Sequence, residues 1–95
     1  MAAYILFIRK ALNDAAAMQT YSAQVPASFT GHKVKPLAVY GAMQVLEGPA
    51  SDGVVIAQFD SMDEAKAWYH SPAYQAAIPD RFKAGEYQVI LVEGA

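Results

Sequence analysis

Ninety-five residues with no cysteine, 55% hydrophobic and 17% charged, describe one small globular domain spanning residues 1–95, because so short a chain cannot divide its apolar residues between two cores. The absence of cysteine excludes a disulfide framework, thiolate chemistry and sulfur-ligated metal sites, and it favours a cytoplasmic location. A formal net charge of -2 leaves no surplus of Lys and Arg to displace phosphate counterions, so nucleic acid is not an expected partner.

The chain opens with the apolar run Tyr4-Ile5-Leu6-Phe7-Ile8, which stops at Arg9-Lys10. It is too short to span a bilayer and has no basic stretch before it, so it reads as a strand over Ala3–Arg9 and no membrane is expected as a partner. A helix follows, with Asn13 as N-cap, Asp14 opposing the helix dipole, and Ala15, Met18, Tyr21, Ser22 and Val25 at helical spacing. Pro26 is expected to kink or restart it, and Gly31 to close the short segment that follows. Residues Lys35–Glu47 form the second β-rich run. Gly48-Pro49-Ala50-Ser51-Asp52-Gly53 then links it, in the manner of a long hairpin, to a third strand over Val54–Phe59.

Ser61-Met62-Asp63-Glu64 carries the capping-box spacing that starts a helix from Met62 to about His70. Ser71-Pro72 repeats the start signal, so Ala73–Ala77 is expected to be a separate helical turn, with Pro79 and Gly85 bounding the connection to a last strand over Tyr87–Glu93. The order strand, helix, strand, strand, helix, strand is the α+β, ferredoxin-like βαββαβ pattern, a four-stranded antiparallel sheet with both helices on one face. Neither outer run alternates between apolar and polar. Tyr4, Leu6 and Ile8 oppose Ile5 and Phe7, and Val89 and Leu91 oppose Ile90 and Val92, so both sheet faces are apolar and two helices cover only one. The uncovered face exceeds the few hundred Å² of apolar patch that monomers tolerate. A homodimer packed through the sheet faces, a dimeric α/β barrel, removes it from water.

The residues Tyr21, Val25-Pro26, Val45-Leu46-Glu47-Gly48, Phe59-Asp60-Ser61, Ala65, Trp68-Tyr69, Ser71-Pro72, Tyr74, Arg81 and Val92-Glu93-Gly94 together resemble the domain of unknown function 1330 family over nearly the whole chain. The run from Trp68 to Tyr74 and the two Glu-Gly endings are the most specific parts. The resemblance implies a dimeric, ferredoxin-like α/β barrel and no established reaction. Two stretches depart from the family pattern. A Gly-Gly-Arg entering the second strand and an Arg-Gly-Gly further along it are matched here by Lys33-Val34-Lys35 and Val39-Tyr40-Gly41. Lys35 therefore retains a point charge without the arginine fork, and Val39 retains none.

Side chains suited to chemistry are few. His70-Ser71 beside Asp60-Ser61 contains the residue types of a serine hydrolase, but both serines already have capping roles and no Gly-x-Ser-x-Gly elbow occurs. His32 and His70 are the only imidazoles, without metal-ligand spacing, so neither a metal nor a redox cofactor is expected. Trp68 has the spacing of a core residue. Tyr40, beside Gly41 in a strand, suits a cavity wall. Lys35 and Arg81 are cationic anchors for a ligand or ion-pair partners of nearby acids. The expected site is therefore a small-molecule cavity with Lys35, Tyr40, Trp68, His70, Ser71 and Arg81 around a small, partly apolar organic molecule; no catalytic residue is assigned. Two other readings stand beside it: a cofactor-independent enzyme of isomerase or oxygenase type, and a structural or interaction protein without a ligand.

Overall fold

The computed structural model describes residues 1–95. Strand β1, Ala3–Leu12, alternates strictly at its start: Ala3, Ile5 and Phe7 are buried while Tyr4, Leu6 and Ile8 are only partly covered. It is one of the two inner strands of a sheet with order β2-β3-β1-β4, where β2 is Lys35–Val39, β3 is Gly53–Phe59 and β4 is Gly85–Glu93. Every pairing is antiparallel, with Phe7 opposite Val55 on one side and Val89 on the other. This is the ferredoxin-like α+β arrangement expected from the sequence.

Three helices, rather than two, pack against the face that carries Ile5 and Phe7. Helix α1 is Ala15–Ser28, α2 is Met62–Tyr69 and α3 is Pro72–Ala84. The expected separate turn at Ala73–Ala77 is the start of a thirteen-residue helix that runs through Pro79 to the first residue of β4. Pro26 likewise does not restart α1, which continues to Ser28. In both cases the proline and the residue four positions earlier, whose carbonyl loses its helical donor, are exposed: Pro26 with Ser22, Pro79 with Gln75. Solvent exposure lets the freed carbonyl be hydrated at little cost, which is why a helix tolerates proline at such positions. The N-cap of α1 is Asp14, whose side chain accepts from Ala17 N at 3.0 Å, one residue beyond the expected Asn13. Ser61 and Ser71 cap α2 and α3 as expected.

The β-rich run expected over Lys35–Glu47 forms a strand only as far as Val39. Tyr40 adopts a positive φ of 51°, a left-handed conformation that turns the chain out of the sheet, and every residue of 41–50 is exposed. The core lies between sheet and helices, where Ile5, Phe7, Phe59, Trp68 and Tyr74 pack together. On the opposite face, Leu6 pairs with Ile56 and Ile90, Tyr4 with Val92, and Ile8 with Val54. No helix covers these side chains; Ile90 is 39% exposed and Val92 47%. Val89 and Leu91 lie instead on the helix side, packed against the core.

Candidate ligand-binding cavity

Helix α1 covers β1 and β3 incompletely, because its inner face is built from Ala17, Tyr21 and Ser28 with Met18 and Val25 alongside. Met18, Tyr21, Ser22, Val25 and Pro26 of the helix form one wall of the space left between helix and sheet. There a half-open cavity of about 260 Å³ is lined by Phe7, Trp68, Phe29, Val55, Val39 and other apolar side chains. Its walls are fixed by aromatic packing. Trp68 stacks at 4.1 Å between centroids on Tyr74, meets Phe7 edge-on at 6.2 Å, and donates its indole Nε1–H to Ser28 Oγ at 3.0 Å.

Polar groups gather at one end. Tyr40 and Tyr21 line the cavity, and their hydroxyls are hydrogen-bonded to Tyr87 at 2.7 Å and to Tyr74 at 2.8 Å. Tyr87 also donates to Met18 Sδ at 3.3 Å. Tyr40 holds its place because a left-handed backbone at this position turns the ring back over Gly53, whose missing Cβ would come within 2.6 Å of the Tyr40 ring. The Arg9 guanidinium carbon lies 4.7 Å from the centroid of that ring, and the guanidinium is itself fixed by Asp52 at 2.6 Å. Burial pushes the Tyr40 and Tyr21 hydroxyls well above the ordinary tyrosine range, reinforced by Tyr87 and Tyr74 respectively, so both are neutral hydrogen-bonding groups at physiological pH.

The six residues expected around a ligand do not converge on one site. Tyr40 and Trp68 line the cavity. Arg81 lies next to it, its guanidinium carbon 5.9 Å from the Phe7 ring and 5.2 Å from that of Tyr87, and is buried. His70 is exposed and lines a separate, more open hollow with Ile5, Lys66, Tyr69, Val89 and Leu91. Ser71 spends its hydroxyl on helix capping, donating to Trp68 O at 2.7 Å and accepting from Tyr74 N at 3.4 Å. Lys35 is exposed on the edge strand, paired in register with Gln58 and outside the lining of both hollows. Sequence reasoning missed Tyr87, Met18 and Arg9. For Tyr87 a signal existed: it shares the face of Val89 and Leu91 and is the one polar member of that inward series.

The antiparallel four-stranded sheet with helices on one face defines a ferredoxin-like α+β protein, here with an apolar cavity whose polar end is built from tyrosines. The chain belongs to the domain of unknown function family DUF1330, whose family model matches residues 2–95. Among solved structures it is similar to a protein of unknown function from Rhodopseudomonas palustris, at 19% identity and a TM-score of 0.72, over 99% of this chain and 82% of that one. It is also similar to a dimeric ferredoxin-like protein of unknown function from Bacteroides fragilis, at 16% identity and a TM-score of 0.63, over 98% and 96% of the two chains. A third likeness is to SnoaB, a cofactor-independent oxygenase from Streptomyces nogalater, at 11% identity and a TM-score of 0.66, over 99% and 92%. At these identities the likenesses show the fold alone. No curated protein matches the chain. No helix is long and apolar enough to cross a membrane.

Proposed function

We propose that residues 1–95 act as one domain, a cytoplasmic homodimer that binds a small, partly apolar organic molecule in the cavity beneath α1. The observation that carries the binding reading is the cavity itself: mostly apolar walls packed around Trp68, with Tyr21, Tyr40 and Ser22 as the hydroxyl-bearing residues of the lining, is the layout of a site that buries a hydrophobic body and orients it by a few polar contacts. Its volume suits a ligand smaller than those filling the pockets of about 300–1,000 Å³ that accept drug-sized molecules. The fold of SnoaB carries cofactor-independent oxygenation, and the same reading for this chain needs a group able to take a proton from the substrate. The cavity lining contains no carboxylate, imidazole or ammonium group, and its tyrosines are held in the neutral form, which favours binding over catalysis. An NMR screen with small aromatic compounds tests the reading. Ligands are expected to shift the Met18 methyl and Trp68 indole resonances together; a screen in which no compound moves either refutes it.

Dimerisation is supported by the bare apolar face of Leu6, Ile8, Ile56, Ile90 and Val92, and by the dimeric state of the Bacteroides fragilis structure. Sedimentation of the wild type is expected to give a dimer, and Ile90→Lys, which places a charge on that face, a monomer. A wild-type chain that sediments as a stable monomer refutes it.

A further inference from the structure

Of the seven Lys and Arg side chains only Arg81 is buried, at 3% exposure. It reaches the interior because it continues the stripe Tyr74, Ala77, Ile78 that turns α3 toward the sheet. Its guanidinium makes no ion pair; the salt bridges of the chain are Arg9–Asp52 and Lys33–Asp60. Asp80, its neighbour in sequence, accepts instead from Gln24 at 2.8 Å. Arg81 Nε is fully enclosed without a hydrogen-bond partner. The rings of Phe7, Phe82 and Tyr87 surround the guanidinium carbon at 5.9, 5.1 and 5.2 Å, and the last turn of α3 also attracts a cation. The Tyr74 hydroxyl is the guanidinium's one polar neighbour, and neither that hydroxyl nor the ring faces offset the charge or give Nε an acceptor.

A second observation lies at the same end of the cavity. The Tyr87 hydroxyl, on the ring that flanks Arg81, gives its proton to Met18 Sδ, a weak acceptor on a flexible side chain that lines the cavity. An anionic oxygen in place of that sulfur is a far better acceptor, and Met18 has the rotamers to withdraw. The aromatic rings of Phe7, Phe29 and Trp68 line the same cavity.

We infer that the cavity takes a planar apolar molecule bearing one carboxylate, which accepts from the Tyr87 hydroxyl in place of Met18 Sδ while Arg81 balances its charge. This rests on the cavity being the binding site. Calorimetry with two acid and amide pairs of matched shape, benzoate against benzamide and cinnamate against cinnamamide, separates the two claims. For the wild type each acid is expected to bind at least about tenfold more tightly than its amide, the effect of one hydrogen bond to a charged group. In Arg81→Met and in Tyr87→Phe that preference is expected to disappear while amide affinity persists, and the melting temperature of ligand-free Arg81→Met is expected to match or exceed that of the wild type. Equal affinity for acid and amide in the wild type, or a preference that survives in Tyr87→Phe and Arg81→Met, overturns the carboxylate inference and leaves the cavity reading standing. Binding of neither acid nor amide overturns both. Tyr87→Phe keeps the test decisive if Arg81→Met does not fold.

Discussion

Ser28 is the residue through which the cavity wall is most directly open to test. It is 2% exposed, donates to the Val25 carbonyl, and accepts the indole N–H of Trp68, itself 2% exposed, at 3.0 Å. Ser28→Ala leaves that indole donor buried without an acceptor, which costs about 1–3 kcal/mol. Alanine is the better helix former by about 0.5 kcal/mol in the last turn of α1, so the net loss is about 0.5–2.5 kcal/mol. For a domain of this size each kcal/mol lowers the melting temperature by roughly 4–8 °C, so a drop of roughly 2–20 °C is expected. Urea unfolding gives the free energy directly, with the midpoint moving and the slope unchanged. Trp68 is the only tryptophan, so its emission reports any movement of the wall without a label. Completing the cycle with Trp68→Phe isolates the bond: the double variant should lose less than the sum of the single losses. A loss below about 0.5 kcal/mol for Ser28→Ala, or strict additivity with Trp68→Phe, refutes the claim that this bond holds the indole in place.

Ser71→Ala is expected to cost about 1 kcal/mol and Ser71→Asp to retain most of that stability, as a capping role requires; labelling of Ser71 by a serine-directed phosphonate would contradict it. Alkaline pH is expected to unfold the protein through its interior tyrosines. Burial raises the pKa of Tyr21, Tyr40 and Tyr74 above the ordinary value, in Tyr74 against the opposing pull of Tyr21 and Arg81. The folded state thus keeps protons that the unfolded chain releases. The stability they contribute is fully present below about pH 10 and falls above it by about 1.4 kcal/mol per pH unit for each tyrosine. Phenolate absorbance from these residues should therefore appear together with loss of helical circular dichroism, and their titration near pH 10 in a still folded protein would show that they are not shielded.

The fold was legible because its determinants are local or periodic. The alternation of β1, the hydroxyl caps at Ser61 and Ser71, and the apolar series on both faces of β4 are written in neighbouring residues. The helix boundaries went astray at Pro26 and Pro79, where the deciding fact is which way a carbonyl four residues earlier faces, and only the packed helix fixes that. The extent of β2 depended on Tyr40, whose left-handed turn is accommodated because Gly53 leaves room for its ring and the Arg9–Asp52 pair, distant in sequence, packs against it. Nothing adjacent to Tyr40 announces this. The site was less legible still. Tyr40 and Trp68 were drawn from one strand end and one helix stripe, but their polar companions Tyr87 and Arg81 arrive from β4 and α3, joined to them only by the fold. Lys35, His70 and Ser71 carry suitable chemistry in the sequence and point elsewhere in space.

The two apolar surfaces that the proposals use lie on opposite faces of the same strand. Phe7 turns toward the cavity, while its neighbours Leu6 and Ile8 turn toward the bare face, where Leu6 meets Ile90 across the pair. A substitution at Leu6, Ile8, Ile90 or Val92, all before the register shift at Arg9–Ala11 or opposite that part of β1, therefore changes the bare face without touching a cavity side chain, and one at Phe7 does the reverse. Because a strand is rigid and its alternation strict, binding and assembly are structurally separable. Tyr40 lines the cavity, and Tyr87 and Arg81 lie behind the lining, Tyr87 bonded to Tyr40 and Met18 and flanking Arg81, on the helix side of the sheet or its rim. A monomeric Ile90→Lys chain thus keeps every side chain that lines the cavity.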